Sequence, residues 1–299
     1  MTSPIAGSPA DQAAGPVPPA RVVDGVEERL DAVVSAVPGY RELTLDVFRA
    51  ADRRGEVLPL IVWIHGGGWE SGSPKHDWPF LTAAGSRSRI MGAGFALAVV
   101  TYRFSSEATF PAQLEDVKAA LRWLHRNADE IGVDRRAFTV WGESAGGHLA
   151  ALAALTSVAA SGWDGAGRED ERVAAAVVWY APSDFHALQS PALDGGVEDT
   201  AVPRLLGGRV QEVRAVATAA SPVTWVSPSA PPMLLVHGTE DLLVPAEQSR
   251  RLAEALRRVG ADVRLHLVPG ADHGFDGVEV APIIDDCLAF VRGLLQRPT

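Results

Sequence analysis

The chain has 299 residues, 47% hydrophobic and 21% charged, the balance of an ordinary globular protein rather than a disordered or fibrous one. Its 37 acidic and 27 basic residues leave a formal charge of −10 with no basic patch, which excludes nucleic acid and an anionic membrane surface as main partners. A single cysteine, Cys287, excludes an intramolecular disulfide; it falls in an apolar helical pattern and is expected to pack rather than react.

Residues 1–20 carry Pro4, Pro9, Pro16, Pro18 and Pro19 among small residues and read as a disordered Pro/Ala-rich tail. They hold no Lys or Arg and no continuous apolar run, so no secretory signal is expected, and the lone thiol suits a cytoplasmic protein. Residues 22–37 show a weak helical spacing, and 41–50 alternate as a half-exposed strand. Residues 58–65 form an apolar run that predicts a strand buried on both faces, ending in Gly66-Gly67-Gly68-Trp69. A second buried strand is predicted over 95–102. An amphipathic helix follows over 111–131, with Leu114, Val117, Leu121 and Leu124 on one face.

Residues 138–141 predict a strand and 145–155 a helix, with Gly142-Glu143-Ser144-Ala145-Gly146 between them. That pattern turns a strand sharply into a helix and leaves a serine at the tip. Downstream, strands are predicted over 173–180, 233–237 and 263–268, and helices over 246–259 and 282–295. Residues 185–230 are irregular, rich in Gly and Pro, and read as a small cap. Strands alternating with helices imply one α/β domain over 21–299, built on a mainly parallel sheet with helices on both faces. In such sheets reactive groups collect at the carboxyl ends of the strands. Four loops fall there: 65–69, 142–146, 238–241 and 270–274.

A serine nucleophile needs a base for its proton, a carboxylate to orient that base, and N–H donors for the oxyanion. Among eight histidines, His273 lies on a post-strand loop after both the serine and an acidic loop, and is the expected base. His266 falls inside a strand, while His76 and His125 have no supporting motif. Asp241, one helix and one strand before His273, is the expected acid; Glu240, Asp272 and Asp184 are its rivals. Gly67, Gly68 and Ala145 are the expected oxyanion donors. His65, Glu143 and His148 are expected to support the site from behind, His65 by fixing the glycine loop and Glu143 by pointing away from the serine. His237 is expected to play a structural part beside Asp241. Trp69, Phe185, Trp225 and Phe275 are candidates for a substrate pocket. No metal-ligand spacing, phosphate loop or dinucleotide fingerprint is present, so no cofactor and no metal are expected.

Taken together, His65-Gly-Gly-Gly-Trp69, Phe110-Pro-Ala-Gln-Leu-Glu-Asp116, Gly142-Glu-Ser-Ala-Gly-Gly-His-Leu-Ala150, His237-Gly-Thr-Glu-Asp241 and Asp272-His-Gly-Phe275 resemble the α/β-hydrolase superfamily. The nearest branch is that of hormone-sensitive-lipase-like carboxylesterases and bifunctional feruloyl/acetyl-xylan esterases. The resemblance implies an α/β-hydrolase fold and cofactor-free hydrolysis of small acyl esters by Ser144, His273 and Asp241, under a variable cap. Arylformamidases share the triad, so a formamide substrate is an alternative, as is an acetyl or feruloyl carbohydrate ester. A non-catalytic binding protein on the same scaffold is expected to lack a triad member, and all three are present here. The partner implied is a small-molecule ester, with no membrane insertion; monomer and homodimer both stay open.

Overall fold

The structure, a computed structural model, describes residues 14–73, 75, 79–158, 167–188, 190 and 200–296. Nine strands form one sheet: β1 (Arg21–Val23), β2 (Val26–Ser35), β3 (Leu43–Ala50), β4 (Leu58–Ile64), β5 (Ala96–Val100), β6 (Val133–Glu143), β7 (Ala175–Trp179), β8 (Met233–Gly238) and β9 (Val263–Val268). Their order is β1-β2-β3-β5-β4-β6-β7-β8-β9. The first three strands join by antiparallel pairing, and every pair from β5 through β9 is parallel. This is the α/β-hydrolase arrangement expected from the sequence.

Helices cover both faces: α1 (Pro79–Ala83), α2 (Ser86–Gly92), α3 (Ala112–Arg126), α4 (Ala128–Ile131), α5 (Ala145–Thr156), α6 (Ala201–Leu206), α7 (Arg214–Ala220), α8 (Glu247–Arg258) and α9 (Val280–Leu295). Alternate residues of β4 feed two cores. Leu60, Val62 and Ile64 pack under α3, α5 and α8, while Ile61 and Trp63 pack with α2 and α9. A strand buried on both faces needs apolar residues at every position, which is why this run shows no alternation. Cys287 lies in the second core, where burial pushes its thiol up to about 12 and it accepts a hydrogen bond from Trp179 Nε1. No helix among the described residues is long and apolar enough to cross a membrane.

Three expectations change. Residues 22–37 hold the β1–β2 hairpin rather than a helix. Asp24 and Gly25 both take positive φ (49° and 79°), the geometry of a two-residue hairpin turn. Register shifts between Arg29 and Ala32 and between Val33 and Ser35 break the two-residue period. The breaks leave Val26, Leu30, Val33 and Val37 at a spacing that imitates a helix. Strand β3 is interior rather than half-exposed, and its polar residues are buried with partners. Asp46 accepts two bonds from the Lys75 ammonium, which it shares with Asp31, and the Arg49 guanidinium is held by the carbonyls of Ile131, Arg53 and Glu56.

The last part of the tail expected over 1–20 is ordered. Residues 14–20 run against the sheet: Gly15 N–H donates to Val33 O (2.8 Å), Trp123 Nε1 donates to Gly15 O, and Arg29 donates to Pro18 O. Residues 1–13 lie outside the described residues. The cap expected over 185–230 is described at both ends, with α6, α7 and a 3-10 turn at Pro222–Trp225, while its stretch 191–199 lies outside them.

Candidate active site

The chain leaves β4 toward β5 on one side of the sheet and leaves β6 toward β7 on the other. Divergent exits of this kind open a crevice at the carboxyl ends of the two strands. The glycine loop after β4 and Ser144 after β6 both sit there.

Ser144 joins β6 to α5 with φ 54° and ψ −119°, a conformation that costs a non-glycine residue energy and points to a functional constraint. The bend brings three backbones into contact. A Cβ on Gly142 would overlap the Gly146 carbonyl, and one on Gly146 would overlap the Ile64 carbonyl, so both positions need glycine. The Ser144 N–H donates to Trp179 O (2.9 Å), tying the turn to β7.

His273 and Asp241 reach the serine as the sequence leads one to expect. His273 Nε2 lies 3.0 Å from Ser144 Oγ, and His273 Nδ1 lies 2.8 Å from Asp241 Oδ2. The other oxygen of Asp241 accepts the N–H groups of Leu243 (3.0 Å) and Val244 (2.7 Å). Burial alone would raise the Asp241 carboxyl, but hydrogen bonds from His237 and His273 outweigh it and bring it down to about 2. An acceptor-only carboxylate on Nδ1 fixes the proton there and leaves Nε2 free to accept from the serine. Two of the three rival acids are otherwise engaged: Asp272 accepts the N–H groups of His273 and Leu242, and Asp184 accepts that of His186.

His237, fully buried, is more closely involved than a general structural part implies. Its Nε2 donates to the Val244 carbonyl (2.7 Å) and stands 3.3 Å from Asp241 Oδ2, while Nδ1 pairs with the Ser249 hydroxyl (2.7 Å). Two imidazoles therefore flank one carboxylate oxygen.

Gly67 and Gly68 take φ of 105° and 62°, backbone that favours glycine, and both line the cavity that Ser144 opens into. Among the described residues neither N–H donates to another backbone group. Ala145 is the first residue of α5, where the helix leaves its N–H groups unpaired.

The three supporting residues hold this loop. Glu143 Oε1 accepts the buried Gly66 N–H at 2.6 Å. His65 Nδ1 donates to Gly66 O (2.8 Å) and its ring stacks on Tyr102 at 4.5 Å. His148 Nε2 donates to the Ala220 carbonyl at the end of α7 (2.7 Å), so its Nδ1 accepts from Trp69 Nε1 (3.2 Å). Glu143→Ala would leave the Gly66 N–H buried without a partner, at a cost of about 1–3 kcal/mol, and let the glycines drift. We expect kcat for p-nitrophenyl acetate to fall roughly 10- to 100-fold, short of the ~10²–10³ that a fully lost oxyanion donor costs. Glu143→Gln, whose amide oxygen can still accept, is expected to recover most of the loss.

Burial pushes His65 and His148 down to about 4 against the pull of their carbonyl partners. Unfolded, an imidazole takes up its proton near pH 6.5. Between these values the unfolded chain binds more protons, so stability is present above about pH 6.5 and is lost as pH falls toward 4. At roughly 1.4 kcal/mol per pH unit each site contributes on the order of 3 kcal/mol. Denaturant unfolding at pH 7 and pH 5 is expected to show the loss, and His148→Gln is expected to lose less between the two. An equal loss in the variant would rule out His148 as a source.

The cavity beside Ser144 has a volume of about 580 Å³ and includes Phe275 among its lining residues, as expected. The other three aromatic candidates do not line it. Trp69 and Phe185 are buried against His148 and each other, with ring centroids 5.2–5.9 Å apart, because the Trp69 N–H is drawn to Nδ1 of His148. Trp225 ends the Pro222–Trp225 turn and donates its Nε1–H to Ala219 O. The walls instead carry Tyr180, Leu243, Val278 and Val280. Tyr180 immediately follows β7 at positive φ (36°), a place at a strand end that could have flagged it. No group of three or more His, Cys, Asp or Glu among the described residues is disposed to hold a metal ion.

A family model described as BD-FAE matches residues 45–256. The chain is 32% identical to esterase LipQ of Mycobacterium tuberculosis, covering 91% of this chain and 65% of the relative. It is 34% identical to esterase LipC of the same organism, covering 78% and 57%. It thus spans roughly three fifths of the length of these curated relatives. Among solved structures, it superposes with a TM-score of 0.75 on a truncated carbohydrate esterase from gut microbiota, 24% identical, covering 94% of this chain and 100% of that one. Native esterase 2 of Thermogutta terrifontis gives a TM-score of 0.68 at 27% identity, covering 92% and 96%.

Proposed function

This chain belongs to the BD-FAE family of α/β-hydrolase esterases, and from that premise we propose that it is a serine hydrolase that cleaves carboxylic esters of small molecules through an acyl-enzyme. The observation that carries this reading is the single imidazole of His273, bonded at one nitrogen to Ser144 Oγ and at the other to the Asp241 carboxylate.

In this reading Ser144 Oγ attacks the ester carbonyl while His273 Nε2 takes its proton. The tetrahedral oxyanion is received by the N–H groups of Gly67, Gly68 and Ala145, aimed in advance by the glycine loop and the start of α5. Collapse breaks the bond to the alcohol, which leaves with the proton from His273. Water then attacks the acyl-serine with His273 again as base, and the acid and free serine are regenerated. Asp241 keeps the imidazole in the productive tautomer throughout. Each step uses only groups of this chain, the ester and water.

A panel of p-nitrophenyl esters, acetylated sugars, feruloyl esters and N-formylkynurenine tests the substrate class. The reading expects turnover of simple esters that disappears in Ser144→Ala. Turnover of the formamide alone, with no ester cleaved, would replace it by an amide hydrolase.

A further inference from the structure

A second cavity, of about 480 Å³, lies at the other end of the sheet from Ser144. It opens where the chain enters β6 and β7, beside His125 and Arg126 at the end of α3. Strand β6 reaches both places: Arg135 and Arg136 stand near its start, and Ser144 follows its last residue. At about 3.3 Å per residue the strand from Arg136 to Ser144 spans roughly 25 Å, and no residue of the triad or the glycine loop lines this space.

Four arginines line the cavity, Arg126, Arg135, Arg136 and Arg172, against two acids, Glu169 and Asp170. They come from three separate stretches of the chain, which is why no basic run marks them in the sequence. The walls carry a formal surplus of two positive charges in a chain whose net charge is −10. Asp170 is also matched from outside the cavity, where the Arg168 guanidinium takes both of its oxygens (3.0 and 3.1 Å). Burial would raise the Asp170 carboxyl, but Arg168 and Arg122 outweigh it and hold it below its ordinary value. Its neighbour Glu171 is buried against Lys118 (3.2 Å) and Arg122 (2.6 Å), neither of which lines the cavity.

The partners that the lining arginines now hold are weak competitors. Arg135 pairs with Asp129 (3.0 Å), Arg136 with Asp134 (3.4 Å) and Arg172 with Glu169 (3.2 Å), and the side chains of Asp129 and Glu169 are almost fully exposed. Such surface pairs contribute little, because water screens them and two long side chains must be held still. A guanidinium exchanges a partner of this kind for a ligand oxyanion at small cost, and its planar fork then makes two parallel bonds. The acidic charge elsewhere on the chain does not oppose this, since charges beyond about 8 Å are largely screened at physiological ionic strength.

The floor of the cavity is fixed in advance. His125 Nε2 donates to the Arg172 carbonyl (2.9 Å), its ring lies against Phe138 at 4.5 Å, and Val173 beside it is buried. These contacts are to backbone and core, so they hold whichever way the arginine side chains turn.

We propose that this cavity is a second binding site, separate from the catalytic one, for a phosphate monoester. Arg126, Arg135, Arg136 and Arg172 take the dianionic phosphate. A hydroxyl-bearing remainder lies over His125 and Val173, with Glu169 and Asp170 accepting from its hydroxyls. A dianion matches the surplus of two charges, whereas a monocarboxylate leaves half of it unmatched. At roughly 30 Å³ per non-hydrogen atom the volume holds on the order of fifteen such atoms, the size of a hexose phosphate.

Calorimetric titration of the full chain with glucose 6-phosphate tests this, with inorganic phosphate and glucose as the two halves of the probe. Glucose 6-phosphate is expected to bind with a Kd of about 1 mM or tighter, at least about 10-fold tighter than inorganic phosphate, and glucose to give no heat. Arg136→Gln and Arg172→Gln are each expected to weaken it by about 10-fold or more, the scale of a lost hydrogen bond to a charged group. Both side chains are exposed, so folding is expected to survive. Thermal unfolding checks that, and Arg135→Gln replaces either variant that fails it.

The His125 ring signals, assigned by their absence in His125→Gln, are expected to shift during the titration. Ser144→Ala is expected to bind glucose 6-phosphate as the wild type does, so the result does not depend on the esterase reading. The proposal would be overturned by no heat and no His125 shift at about 10 mM glucose 6-phosphate. Affinity unchanged in both folded arginine variants, affinity lost in Ser144→Ala, or glucose or inorganic phosphate bound as tightly as the ester would overturn it equally.

Discussion

Ser144→Ala is expected to lower kcat for p-nitrophenyl acetate by about 10⁶-fold, the scale seen when a serine nucleophile is removed from an intact triad. KM is expected to change little, because the cavity walls do not depend on the hydroxyl. The Ser144 backbone is held independently of its side chain, by its N–H on Trp179 O and by the glycine contacts on either side. Folding is therefore expected to survive, and residual activity reports only the oxyanion donors and binding. A variant that kept more than about a thousandth of wild-type kcat would exclude Ser144 as nucleophile.

Asp241→Asn is the second large effect, at about 10⁴-fold in kcat. The Asp241 side chain accepts from two sides, two backbone N–H groups on one oxygen and the His273 ring on the other. An asparagine has one acceptor to offer. Giving its carbonyl to Leu243 and Val244 turns its NH₂ toward His273 Nδ1, which must then accept. That moves the ring proton to Nε2, opposite Ser144 Oγ, where it blocks the base. Turning the amide over sets NH₂ against two N–H donors instead. Neither orientation satisfies the site.

The variant also removes a pH linkage. Asp241 is held down at about 2 against an ordinary value of 3.8, so its stabilising bonds are present above that ordinary value and are lost as pH falls toward 2. Acid unfolding of Asp241→Asn is expected to show a shallower loss in this window.

Much of this site was legible because it is built from strand ends. Ser144 and Asp241 each follow a short apolar run read as a buried strand, His273 follows an alternating one, and the glycine loop follows another apolar run. A parallel sheet then gathers those ends without further information. Close backbone packing also left its mark, since Gly142 and Gly146 have no room for a Cβ.

What misled was local periodicity where tertiary pairing overrode it. The bulged strand β2 imitated a helix, and buried charges in β3 imitated a solvent face until Lys75 and the backbone carbonyls were seen to pair them. Three of the four aromatic pocket candidates, Trp69, Phe185 and Trp225, do not line the cavity for a related reason. Large rings near a site serve packing as readily as binding, and a single hydrogen bond from Trp69 to His148 turns that ring inward. Val278 and Val280 were missed because the helix expected from the sequence begins only at 282, two residues after the observed start at Val280, and nothing in their neighbours marks which side they face.

The most direct test of the central claim is intact-mass and peptide mass spectrometry after treatment with diethyl p-nitrophenyl phosphate, which phosphorylates an activated serine and releases one p-nitrophenol. The account expects one adduct per chain, located on the peptide that contains Ser144, absent in Ser144→Ala and much slower to form in Asp241→Asn. An adduct on any other residue, or no release of p-nitrophenol by a protein that cleaves esters, would contradict it.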